Sequence, residues 1–173
     1  MKKPYLLIIT AILYLVLTVG MSLANDSDVE RKIEELKQTM RINPDDADAH
    51  ANLGVAYVKS DMHKEATEAF KQAIRINPDK AEFHNGLGHA YANLGMYKEA
   101  IEACKQAVRN NPDYRNAHYN LGLFYSLSND KDSALEQCEI LKRLDPELAD
   151  KLFNLIYKQL REKQLPQLMQ LIP

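Results

Sequence analysis

Three histidines, His50, His84 and His118, are evenly spaced along the chain, each inside the frame H-x-x-L-G-x-x-Y. Two cysteines, Cys104 and Cys138, keep the same interval. Imidazole and thiolate are zinc ligands, and two thiols can close a disulfide. A shared metal needs its ligands converged to about 2.0–2.1 Å from one ion. An interval this long converges nothing by itself, so the elements that carry these residues decide.

The interval runs through most of the chain. Pro44, Pro78, Pro112 and Pro146 are separated by it as well. Blocks 47–80 and 81–114 are identical at more than half of their positions, and 115–148 keeps His, Leu, Gly, Tyr, Ala and Pro in register. Self-similarity at such a period marks stacked supersecondary units rather than one irregular core. Each block reads as two helices. Leu53, Ala56 and Tyr57 follow helical spacing in the first, and Ala66, Ala69, Phe70, Ala73, Ile74 and Ile76 in the second. Turn formers recur at Ser60-Asp61, Leu94-Gly95 and Ser128-Asn129-Asp130, and Asn77-Pro78 ends the pair.

Equivalent residues on stacked helices lie about 8–10 Å apart. One zinc cannot span that distance, and a disulfide needs Cα atoms within about 7 Å. The three histidines therefore read as packing residues and the cysteines as buried thiols, with no metal site and no disulfide. Gly54, Gly88 and Gly122 sit mid-helix, where glycine costs about 1 kcal/mol relative to alanine. A recurrent cost of that size implies close backbone approach, with Ala66, Ala100 and Ala134 as facing partners.

The period, the L-G-x-x-Y segment, the small residue twelve places after the Gly and the closing Pro resemble the tetratricopeptide repeat. The resemblance covers 47–80, 81–114 and 115–148 as three repeats. Its structural positions fall on Leu53, Gly54, Tyr57, Ala66 and Pro78, then Leu87, Gly88, Tyr91, Ala100 and Pro112, then Leu121, Gly122, Tyr125, Ala134 and Pro146. Residues 29–46, with Ile33, Leu36, Met40 and Ile42, are similar to the second helix of a preceding half repeat. Segment 149–173 is similar to a capping helix and tail, since Ile156 replaces the small Gly. Two departures are His at the fourth position and Leu141 where Ala73 and Ala107 stand. The fold implied is all-α: a right-handed α-solenoid of three helix pairs between a half-repeat helix and a cap.

The resemblance also implies a concave groove lined by positions 2, 5, 6, 9, 12 and 13 of each first helix. The expected partner-binding residues are Asn52, Val55 and Lys59, then Asn85, His89 and Asn93, then Asn116, Tyr119, Asn120, Leu123 and Leu127. Asn52 and Asn120 can donate to and accept from an extended peptide backbone. Tyr119, Leu123 and Leu127 suggest an apolar anchor. Acidic or uncharged residues at positions 2 and 5 (Asp48, Glu82 and Asn116 at position 2) disfavour an anionic tail as the ligand.

The remaining sequence narrows the function classes. A net charge of −2 over 173 residues gives a polyanion no purchase, so nucleic acid is not an expected partner. No C-x-x-C, H-E-x-x-H, G-x-S-x-G or phosphate-binding Gly loop occurs, so no enzyme and no cofactor is expected. Met1-Lys2-Lys3, the apolar run Leu6 to Val19 and Ser22-Leu23-Ala24 have the layout of a secretory signal over 1–24. Membrane association then comes only through this segment, the alternative being an uncleaved anchor over 4–24. The expected protein is exported, periplasmic or secreted, and binds a protein or peptide. A homo-oligomeric scaffold using the tail 164–173 is the second reading.

Overall fold

The structure, a computed structural model, describes residues 27–169. The expected export signal lies outside them, as does the end of the tail. Helix α1 covers 27–42. It is followed by α2 (Ala47–Lys59), α3 (His63–Ile76), α4 (Ala81–Asn93), α5 (Tyr97–Asn110), α6 (Arg115–Leu127), α7 (Lys131–Leu144) and α8 (Pro146–Met169). No strand occurs among the described residues, and no helix there is long and apolar enough to cross a membrane.

The short connections force α2/α3, α4/α5 and α6/α7 into antiparallel pairs. In each, one residue takes a left-handed backbone: Asp61 (φ 56°), Gly95 (φ 73°) and Asn129 (φ 69°), again one repeat apart. Glycine and Asn or Asp tolerate that region best. The next amide then folds back onto a tyrosine carbonyl. Met62 N–H donates to Tyr57 O at 2.9 Å, Met96 to Tyr91 at 3.0 Å and Asp130 to Tyr125 at 2.8 Å. This is a Schellman-type closure of the first helix. Helix starts are capped by aspartates where the sequence supplies them. Asp46 accepts from Ala49 N–H at 2.9 Å, Asp130 from Ser133 N–H at 3.2 Å and Asp145 from Leu148 N–H at 3.1 Å. Helix α8 opens on Pro146, a position where proline costs no hydrogen bond. It continues over Pro166, which the sequence alone assigns to the tail.

Packing sets the curvature. Helix α2 touches α4, α4 touches α6 and α6 touches α8, whereas no two of α3, α5 and α7 touch each other. A stack whose one row is in contact and whose other row is splayed curves toward the touching row. The inner face is therefore built by α2, α4, α6 and α8. The core is a string of clusters rather than one mass. Ile33 and Leu36 of α1 meet Leu53, Ala56 and Ala69 at one end. Cys138 and Leu141 of α7 meet Leu152 and Ile156 of α8 at the other.

Candidate interaction surface

The histidine ladder is a set of turn staples. His50, His84 and His118 each place Nε2 on the carbonyl of the proline six residues earlier, at 2.9, 2.7 and 2.8 Å. In the neutral ring Nε2–H donates, tying each first helix to the turn that precedes it. His118 also brings Nδ1 to 2.8 Å from the terminal amide of buried Gln137; with Nε2–H spent on Pro112, Nδ1 accepts there and the amide's NH2 must be the donor. Each ring is thus committed to the end of the preceding unit. His118→Ala is expected to cost about 1–3 kcal/mol, because it also strands Gln137. His50→Ala should cost about 0.5–1.5 kcal/mol for a single, less buried bond. Urea midpoints of the two variants check this order.

The cysteines are free and buried. Burial pushes the Cys104 thiol up to about 12 and raises Cys138 as well. A thiol so far from ionisation is a poor nucleophile at neutral pH. Folded protein at pH 8 should react with an aromatic disulfide reagent only as fast as it opens, and denaturant should expose both thiols at once. Rapid labelling of the folded chain would contradict this.

The junctions between repeats explain why the cysteines are small. Phe70, 3% exposed, is wedged between two glycines. A Cβ on Gly54 would lie 2.9 Å from its ring, and one on Gly86 only 2.3 Å. One repeat later Cys104 stands at the place of Phe70 and Asn120 at the place of Gly86; the next pair is Cys138 and Asn154. A large ring demands glycine opposite, whereas a small thiol leaves room for an amide. Asn120 uses that room, donating through Nδ2 to Asn85 Oδ1 at 2.9 Å. Asn120 was expected to face a ligand with both ends of its amide, but the structure commits its donor end to the neighbouring repeat.

The other expected partner-binding residues divide by environment. Asn52, Val55, Lys59, His89, Asn93, Asn116 and Leu127 are exposed on the inner row, while Asn85 is half-buried. Asn93 contacts the His89 ring at 3.3 Å. His89 is held below the usual histidine range, first by the burial of part of its ring and then by nearby His63. Tyr119 and Leu123 are half-buried, packed on the cluster formed by α7 and α8. The apolar anchor is therefore broader than the expected trio, and its outer part belongs to α8.

That part escaped the sequence reading, which took α8 for a cap. Phe153 and Tyr157 are 46% and 63% exposed, stacked with centroids 6.4 Å apart and planes at 17°. They occupy the register of Tyr119 and Leu123, one repeat further on. In the three repeats Phe83 and Ala117, and likewise Ala56, Ala90 and Phe124, are buried against the preceding helix pair or half repeat. The equivalents on α8 are Lys151 and Lys158, both exposed, and α8 packs instead through Ala149, Leu152 and Ile156. The exposed surface of α8 thus carries lysines beside an aromatic pair. Carrying the repeat register past Pro146 was the signal that would have found the pair.

The outer surface repeats a different pattern. Lys71 pairs with Glu68 at 2.7 Å under the ring of Tyr91, and Lys105 pairs with Glu102 at 2.8 Å under Tyr125. These ammonium groups tie each second helix to the next first helix, a structural use of charge. Among the described residues no group of three His, Cys, Asp or Glu is arranged to hold a metal.

The comparisons with known proteins agree with this geometry. Residues 81–114 match the family model described as tetratricopeptide repeat, and residues 63–95 match one described as TPR repeat. Comparison with the curated proteins gives no match. Among solved structures the chain is similar to the crystal structure of MamA (TM-score 0.66, 22% identity, 84% of this chain and 96% of that one). It is likewise similar to MamA 41-end from Desulfovibrio magneticus RS-1 (TM-score 0.65, 24% identity, 75% and 73%). At these identities the likeness is one of fold. The chain is also similar to YrrB, described as a TPR protein with an unusual peptide-binding site (TM-score 0.61, 25% identity, 83% and 76%). Residues 63–114 thus match tetratricopeptide repeats, and the described residues fold as an all-helical solenoid.

Proposed function

We propose that this protein is a non-enzymatic binding module that holds a segment of another protein along its inner face and serves as an assembly or scaffold factor in an exported compartment. One observation carries the reading. Phe153 and Tyr157 stay exposed on the inner row, whereas Lys151 and Lys158 keep the neighbouring exposed positions of the same helix charged. An aromatic pair left uncovered while its neighbours are polar is the composition of a binding patch. Tyr119, Leu123 and Leu127 extend it across α6. A prearranged helical stack presents this patch at little ordering cost to itself. The peptide-binding site named for YrrB supports the same use of the fold. The compartment rests on the signal-like layout of residues 1–24.

The test is a displayed peptide library selected on the full chain and re-measured on Phe153→Ala/Tyr157→Ala. Selected peptides should carry an apolar stretch. The double variant should lose at least about tenfold in affinity, since buried aromatic anchors dominate such interfaces. Its melting profile should stay unchanged, because both side chains face solvent. Equal affinity for both proteins removes the reading.

A further inference from the structure

Two charges of α8 are left unspent beside its aromatic pair. Glu147 holds Lys151 at 2.7 Å, and Lys158 reaches Glu162 at 3.9 Å. Asp150 and Arg161 are exposed and form no ion pair among the described residues. Lys142, on which Asp150 also acts, is held by Glu139 at 2.6 Å. Asp150 and Arg161 are opposite in sign and stand on either side of Phe153 and Tyr157. Helical spacing carries Asp150, Phe153, Tyr157 and Arg161 along one stripe of the helix. All four are exposed, while Ala149, Leu152 and Ile156 pack on the stack. The stripe runs for about 16 Å at the helical rise.

An order of acid, two aromatic rings and base is complementary to its own reverse. We propose that a second copy of this chain docks on the stripe, helix against helix and antiparallel, about a two-fold axis level with Leu155 and Ile156. The helical rise then sets Asp150 of each copy level with Arg161 of the other. It also sets Phe153 of each within one residue of the other copy's Tyr157. One contact closes two ion pairs and covers four rings. A parallel pairing would set like charges level with each other and is disfavoured. A foreign segment needs the same pattern in reverse, whereas a second copy already carries it.

The inference rests on Phe153 and Tyr157 forming a binding patch, and names the partner segment as α8 of a second copy. A contact of this length buries less than the roughly 1,200 Å² of a stable interface. The dimer is therefore weak, forming at micromolar concentration or above, and its register is set by the two ion pairs.

Sedimentation equilibrium of the full chain should show a concentration-dependent dimer. Asp150→Arg and Arg161→Asp should each raise its dissociation constant at least about tenfold, since each sets like charges level with one another twice. Mixing the two variants in equal amounts should restore the dimer, because each then meets its complement. The double variant Asp150→Arg/Arg161→Asp should dimerise alone. Misfolding cannot produce that reciprocal rescue. Phe153→Ala/Tyr157→Ala should abolish the dimer and leave the melting profile unchanged. Three results overturn the inference: wild-type chain monomeric at millimolar concentration, single swaps that leave the dimer intact, or a mixture that fails to rescue. If library peptides still lose affinity for the aromatic double variant, the binding patch survives that failure. If they do not, both readings fall.

Discussion

Phe70→Ala is expected to lower stability by about 3–5 kcal/mol. The ring is 3% exposed and belongs to the cluster with Ala51, Ala66, Ala73, Phe83 and Ala90. Two flanking glycines offer no side chain to collapse into the space, so the cavity persists. Gly86→Asn should also destabilise, because its Cβ would lie 2.3 Å from the ring. Combining Phe70→Cys with Gly86→Asn copies the pair that nature placed at Cys104 and Asn120. The double variant should be more stable than the sum of its parts by at least about 1 kcal/mol, as residues in contact couple. Recovery stays partial, because Ala51 stands where Asn85 supplies the partner amide for Asn120. Urea unfolding of the four proteins measures the coupling. Additive effects would show that ring and glycine are not a matched pair.

Gly88→Ala should cost about 1–3 kcal/mol net, despite the gain of about 1 kcal/mol that alanine brings to a helix. Its Cβ would sit 2.6 Å from Cys104 Sγ and 3.0 Å from the carbonyl oxygen of Ala100. The sulfur is fully buried and the carbonyl is backbone, so relief requires α4 and α5 to separate. Adding Cys104→Ala removes the closer clash and should return part of the loss, whereas the carbonyl contact remains. Gly95→Ala is the control. Nothing lies within 4 Å of its Cβ, but its φ is +73°. Its cost should come from the backbone alone, about 1–2 kcal/mol, and Cys104→Ala should leave it unchanged. If Cys104→Ala rescues both variants equally, the close-approach account of Gly88 fails.

Much of this arrangement was legible in the residues. A period fixed by Pro44, Pro78, Pro112 and Pro146 dictated stacked helix pairs, because no single core repeats itself at a constant interval along the chain. The same arithmetic separated the three histidines and the two cysteines without reference to any contact. Their hydrogen-bond partners were not legible. A sequence shows that His84 recurs, but only the folded turn shows that its Nε2 reaches the carbonyl of Pro78.

The candidate surface was half legible for a related reason. Register placed Tyr119, Leu123 and Leu127 on the inner row, yet the first two are partly covered by α8, a contact between elements far apart in the helix pairing. Register also assigns Phe153 and Tyr157 to that row, but Ile156 in the glycine position drew the reading toward a mere cap. Ile156 does cap, at 2% exposed, and its neighbours on the other side of the helix remain available. One helix serves two faces, and helical periodicity alone does not say which of them a partner meets.

By itself, then, the sequence determined the repeat and the helix pairs, because those follow from spacing along the chain, and the resemblance implied which row of side chains faces inward. Tertiary structure decided which members of that row are free. Asn120 is spent on Asn85 through its donor. The Phe70 ring takes the room that Gly54 and Gly86 leave, where one repeat later Cys104 leaves room for Asn120. Such outcomes depend on side chains from neighbouring repeats sharing one volume, and volume is a property of the packed stack rather than of any position in the chain.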